Sequence, residues 1–125
     1  MNIPEHNQTV MPYLILKNAA DFIRFTQSVF DAVEIEKVRS MRDDKTIMHS
    51  EIMIGDSTIM FADSTEEFNQ RTAGLFIYVE NADETYEKAI DEGATTIMEL
   101  SNQPYGRTCG VTDPFGNIWW ITSVK

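Results

Sequence analysis

The chain has 125 residues, 42% hydrophobic and 24% charged, the composition of one ordinary globular domain that buries roughly two thirds of its unfolded surface and needs no disulfide or metal staple. Twenty Asp and Glu oppose ten Lys and Arg for a net charge of −10, and with no basic cluster to release counterions, nucleic acid and anionic membrane surfaces are disfavoured as partners. Residues 1–7 lack a basic stretch leading into an apolar run, no apolar segment approaches the roughly 18 residues of a membrane span, and the single cysteine, Cys109, excludes an internal disulfide; a cytoplasmic location is expected.

In chain order, residues 10–16 form a β-rich run, after which the apolar period turns helical. Asn18 is the expected cap of a first helix, with Asp21 three residues on and Phe22, Phe25, Thr26, Val29 and Phe30 as one apolar stripe. Three strands are predicted next, over residues 33–41, 47–54 and 57–62, the last two joined by Gly55-Asp56. From Gly74 the order recurs. A strand over residues 75–79 leads to a helix from Asn81 to about Glu92, with Ala82, Tyr86, Ala89 and Ile90 inward and Gly93 as a left-handed stop. Strands over residues 95–100, 107–112 and 118–123 follow, the last pair joined by Asp113-Pro114-Phe115-Gly116.

Element order, helix caps and hairpin turns agree between the halves, so the pattern implies an α+β fold of two βαβββ modules, about residues 9–63 and 73–124, within a single domain over residues 1–125. Neither half buries both faces of its sheet alone. The two sheets are expected to join into a curved, partly open mixed β-sheet with helices outside, leaving an inner face that holds a ligand, a partner or its own side chains.

These residues resemble the glyoxalase/bleomycin-resistance/dioxygenase superfamily, also called vicinal oxygen chelate, and within it the PhnB-like branch. The resemblance rests on Val10-Met11-Pro12-Tyr13-Leu14, on Met48-His49-Ser50-Glu51 running through Gly55-Asp56-Ser57 to Phe61-Ala62-Asp63, and on Tyr105-Gly106-Arg107 running to Asp113-Pro114-Phe115-Gly116-Asn117 and Trp119. One departure is Asp31, where the branch commonly has a glycine suited to a left-handed helix end; aspartate adopts that conformation at some cost.

The resemblance implies four metal ligands, one on the first and one on the last strand of each module. The matching positions, Met11, Met60, Leu75 and Trp120, offer no oxygen or imidazole to a divalent ion. No metal and no cofactor is therefore expected, unless His49 and Glu51 build a different site. His6, five residues before Met11, is assigned to a mobile tail.

Strand alternation puts Ile47, His49, Glu51 and Met53 on one face of their strand and the more apolar Met48, Ser50, Ile52 and Ile54 on the other, under the helix. His49 and Glu51 then face the inner side, either as a carboxylate-oriented imidazole fit for acid/base work or as a solvated polar pair. Arg107, with Tyr105 and Gly106 before it, either lies near the same cavity and offers its fork to a carboxylate or phosphonate, or pairs with one of the chain's acids. Trp119 and Trp120 point to opposite faces, Trp119 under the helix and Trp120 into the cavity, as ligand platform or as filler.

The candidate ligand-binding residues are thus His49, Glu51, Met60, Tyr105, Arg107 and Trp120, with no catalytic residue assigned. The leading expectation is a metal-free homodimer binding a small organic molecule. The alternatives are a divalent-metal-dependent lyase, isomerase or dioxygenase of the same superfamily, and a non-catalytic interaction module.

Overall fold

The computed structural model describes residues 1–124, which form two compact units: residues 1–27 with 31–71, and residues 28–30 with those from Thr72 onward. In the first unit β1 (Tyr13–Leu16) leads to α1 (Ala19–Phe30), whose residues 28–30 belong to the second unit, then to β2 (Val33–Glu34), a 3-10 turn (Glu36–Val38), β3 (Ser40–Met41), β4 (Ile47–Ile54) and β5 (Ser57–Asp63). The sheet order is β1-β5-β4-β2, with β3 also on β4. Only β1 and β5 run parallel, Leu14 opposite Phe61.

The second unit repeats this plan. β6 (Gly74–Tyr78), α2 (Ala82–Asp91), β7 (Thr95–Gln103), β8 (Gly106–Thr112) and β9 (Ile118–Ser123) make a sheet of order β6-β9-β8-β7. Again the first strand pairs parallel with the last, Phe76 opposite Trp120. The fold is α+β, and the duplicated strand-helix-strand order expected from the sequence is present in both units.

The expected strand over residues 33–41 is instead broken by the 3-10 turn. The Glu34 side chain is only 4% exposed. Arg39 donates to both of its oxygens across the turn, and Ser50 Oγ donates at 2.6 Å. Burying a carboxylate demands this satisfaction, and curling residues 36–38 brings the guanidinium to it.

α1 buries its predicted stripe: Phe22, Phe25, Thr26, Val29 and Phe30 are all inside, Phe22 meeting Phe61 edge-on at 5.3 Å between centroids. Its cap differs from the expectation. Asn18 is left-handed, with φ 61°, and its side chain accepts nothing from the helix. The orphan donor at the helix start is met by distant Asp63, whose Oδ1 accepts Ala19 N–H at 2.8 Å while Oδ2 accepts Ile47 N–H at 2.7 Å. α1 ends on left-handed Asp31, φ 57°, the conformation anticipated for that position.

α2 is capped by Asn81, which accepts from Glu84 N–H, and stops before Gly93 at φ 101°. Its buried positions are Ala82, Thr85 and Ala89. Tyr86 and Ile90, expected inward, lie toward the rim, where Tyr86 Oη meets Thr96 Oγ1 at 2.7 Å.

The turn between β8 and β9 is built around buried Asp113. Its Oδ1 accepts Phe115 and Asn117 N–H, both at 2.9 Å, and its Oδ2 accepts Asn117 Nδ2 and Trp119 Nε1. Trp119 is 1% exposed and packs on Phe30 at 4.5 Å. The Asp-Pro-Phe-Gly-Asn run is therefore architectural: it lets a buried indole N–H keep a hydrogen-bond partner.

Candidate functional site

In the first unit, Ser50, Ile52, Ile59 and Phe61 are buried toward α1, which puts His49, Glu51 and Met60 on the face away from the helix. Glu51 is the cross-strand partner of Met60, and Met60 is that of Tyr13. Met48 breaks the alternation. Ser40 pairs with His49 and Met41 with Ile47, so β4 carries Met48 as an extra residue, and this bulge leaves its side chain 50% exposed instead of under α1.

His49 and Glu51 are joined in a longer chain of hydrogen bonds. His49 Nε2 lies 2.9 Å from Glu51 Oε2, His49 Nδ1 lies 3.2 Å from Tyr13 Oη, and Asn7 Nδ2 donates to Glu51 Oε1 at 2.8 Å. A carboxylate only accepts, so a neutral imidazole carries its proton on Nε2 and receives the Tyr13 hydroxyl at Nδ1. Tyr13 Oη then donates to an imidazole whose other nitrogen is held by Glu51. Glu51 is buried, whereas the His49 side chain is 27% exposed, so the pair is half-buried. Tyr13 was not legible as a site residue, because only the parallel β1–β5 ladder brings it beside His49.

The segment before β1 is not a free tail. Thr58 Oγ1 donates to the His6 carbonyl, Gln8 Nε2 donates to the Thr58 carbonyl at 2.9 Å, and Asn7 reaches Glu51. Residues 6–8 strap the helix-free face because each finds a polar partner on β4 or β5.

Beside this chain of hydrogen bonds lies a cavity of about 860 Å³ lined by Tyr13, Ile15, Met48, Ala62 and Phe68 together with Arg42, Asp63, Thr65, Glu66 and Glu67. Tyr13 is common to both. A cavity of this size suits a small organic molecule.

In the second unit, Trp120 and Phe76 share the helix-free face, and Phe76 contacts Tyr78 and Tyr105, with ring centroids 5.3 and 6.4 Å apart. Trp120 lies flat over Gly110, where an added Cβ would fall 2.4 Å from the indole Cζ3. Tyr105 sits in the turn before β8, on the aromatic side. Arg107 does not join them: it pairs across the ladder with Ser123 and holds Asp83 of α2 with Nε and Nη2 at 2.8 and 3.0 Å. Of the two roles open to it, the structure shows the acid pairing, and the fork keeps the Asp83 carboxyl below its ordinary range. Cys109 is buried, and burial pushes its thiol up to about 11, which makes it inert packing.

The implied metal positions do not fit a divalent cation. Leu75 pairs with Trp119 on the helix side, so the β6 residues facing with Trp120 are Gly74 and Phe76 instead, neither a donor. Met11 Sδ already accepts Gln8 N–H at 3.3 Å, and Met60 and Trp120 offer a thioether and an indole. Both oxygens of Glu51 are engaged. Among the described residues no three His, Cys, Asp or Glu side chains gather into a metal site, and no helix is long and apolar enough to cross a membrane.

An uncharacterized protein of Mycobacterium bovis is 28% identical over 120 residues, covering 86% of this chain and 78% of that protein. Among solved structures, a PhnB protein from Bacillus cereus superposes with a TM-score of 0.76 at 20% identity, over 94% of this chain and all of that one. TioX from Micromonospora does so with 0.72 at 18%, over 94% and 97%. A family enzyme from Burkholderia phytofirmans gives 0.72 at 22%, over 90% and 95%. The model of the Glyoxalase/Bleomycin resistance protein/Dioxygenase superfamily matches residues 7–121, nearly the whole of the repeated plan, and the chain belongs to that superfamily.

Proposed function

We propose that this single-domain chain binds a small organic molecule without a metal or cofactor, on the helix-free face of the first unit. One observation carries this reading: Tyr13, hydrogen-bonded to His49 and through it to Glu51, walls a largely apolar cavity of about 860 Å³. A half-buried, oriented imidazole that reaches the ligand through a phenol suits either sequestration of a ligand with an acidic hydrogen or proton transfer from it. The donor chemistry at Met11, Met60, Phe76 and Trp120 supports binding over Lewis-acid catalysis. The protein is read as a cytoplasmic homodimer with no nucleic-acid or membrane partner, consistent with its charge of −10.

The test is ligand-observed NMR of the purified protein against a library of small aromatic and aliphatic compounds, repeated with Tyr13→Phe and His49→Gln. Binding that weakens in both variants while the fold survives is expected; binding indifferent to both refutes the site. Metal analysis after chelator-free purification separates the metal-dependent alternative, because one tightly held equivalent lost on His49→Gln would establish it. Light scattering decides the dimer.

A further inference from the structure

Three large apolar side chains stay in water at the cavity of the first unit: Tyr13, Met48 and Phe68 are 47, 50 and 60% exposed. They converge on one opening, where an apolar body would cover them together. Arg42 lines the same cavity.

Two other arginines of this unit's acid-rich surface are tied, Arg24 to Asp21 and Arg39 to Glu34, while Arg71, which donates to the Gln70 carbonyl, is not among the residues lining the cavity. Among the described residues no carboxylate lies within ion-pair distance of Arg42, whose one side-chain bond is a long 3.4 Å donation to the Asp63 carbonyl. Asp43 feels the Arg42 charge without pairing with it, and the neighbouring acids make their hydrogen bonds to backbone. Asp43 Oδ1 accepts Lys45 and Thr46 N–H, and the Asp63 carboxylate accepts Ala19 and Ile47 N–H. Glu66 and Glu67 also line the cavity, exposed on the turn after β5 as Arg42 itself is, and solvent screens all three charges alike. A guanidinium retaining most of its donors beside an apolar slot is a half-made recognition site for a planar anion.

We propose that the ligand of this cavity is an aromatic carboxylate, its ring between Tyr13, Met48 and Phe68 and its carboxylate on Arg42. This rests on the binding reading above and adds the charge of the ligand to it.

The experiment titrates the intact protein with benzoate, benzamide and benzylamine, three probes of one shape and different charge, followed by amide chemical shifts. Benzoate is expected to bind tightest, and Arg42→Gln to weaken it about 10-fold or more while leaving benzamide unchanged. Arg71→Gln, a control at an arginine outside the cavity lining, is expected to leave all three unchanged. Equal binding of benzoate and benzamide, no loss in Arg42→Gln, an equal loss in Arg71→Gln, or tightest binding of benzylamine each overturns the anion proposal while keeping the cavity. No shift at Tyr13, Met48 or Phe68 with any probe overturns the cavity reading and the proposal with it.

Discussion

Trp119 Nε1 donates to Asp113 Oδ2 at 2.8 Å inside the second unit, and with it a tight turn and the largest fully buried side chain become one structure. Asp113 is 3% exposed and accepts four hydrogen bonds. Asp113→Ala strips partners from Trp119 and Asn117 and is expected to cost about 3 kcal/mol or more, read as a lower denaturation midpoint. Trp119→Phe, which removes the indole donor yet keeps an aromatic ring, is expected to cost less.

Gly110→Ala is expected to displace Trp120, because the new methyl would sit 2.4 Å from the indole. The cost is about 1–3 kcal/mol by overpacking. A red shift in tryptophan emission checks the displacement, since Trp119 on the other face stays buried.

Glu34 ties stability to acid. Burial pushes its carboxyl up, but the bonds from Arg39 and Ser50 outweigh burial and leave it below its ordinary value of 4.5. A folded-state value lower than the unfolded one gives stability that is complete above about pH 4.5 and lost as pH falls through the folded value. Glu34→Gln is expected to be less stable at pH 7 and to show a flatter decline below pH 4.5, both measured by urea unfolding across pH.

Neutral His49 is expected in the Nε2–H form, fixed by Glu51. Long-range nitrogen–carbon NMR correlations of the imidazole read this directly. Glu51→Gln is expected to perturb the tautomer balance, and a native spectrum with the proton on Nδ1 would contradict the Tyr13-to-His49 direction of donation.

At Asp31, with φ 57°, glycine is expected to raise stability by about 0.5–1 kcal/mol, the left-handed strain removed less the added freedom of the unfolded chain. Asp31→Val should lower it. Thermal melts of the two variants give the comparison.

The two-module plan was legible because it is written in local signals: Gly55-Asp56 turns, Asn81 caps, Gly93 stops, and the α1 stripe is buried as its period demands. The errors have a common physical origin in long-range partners. Asn18 looked like the cap of α1, yet the acceptor is Asp63, 44 residues away. Residues 33–41 read as one strand because the bond between Arg39 and Glu34 that curls them carries no periodicity. His49 and Glu51 share a face by alternation alone, but Tyr13 and Asn7 reach them through the tertiary fold. Leu75 was misplaced by one residue, which on a strand exchanges faces, and the bulge at Met48 did the same within β4.

The parallel pairing of each unit's first and last strands sets the order in which the chain can close. β1 leaves the ribosome early but cannot complete its ladder until β5 has been made, and β6 waits likewise for β9. Synthesis therefore passes through two intervals with an unmatched edge, ending near Asp63 and again near Ser123, and during each the nascent backbone is open to pairing with other chains. A polysome translating this protein rapidly would have most to gain from a chaperone in those two windows.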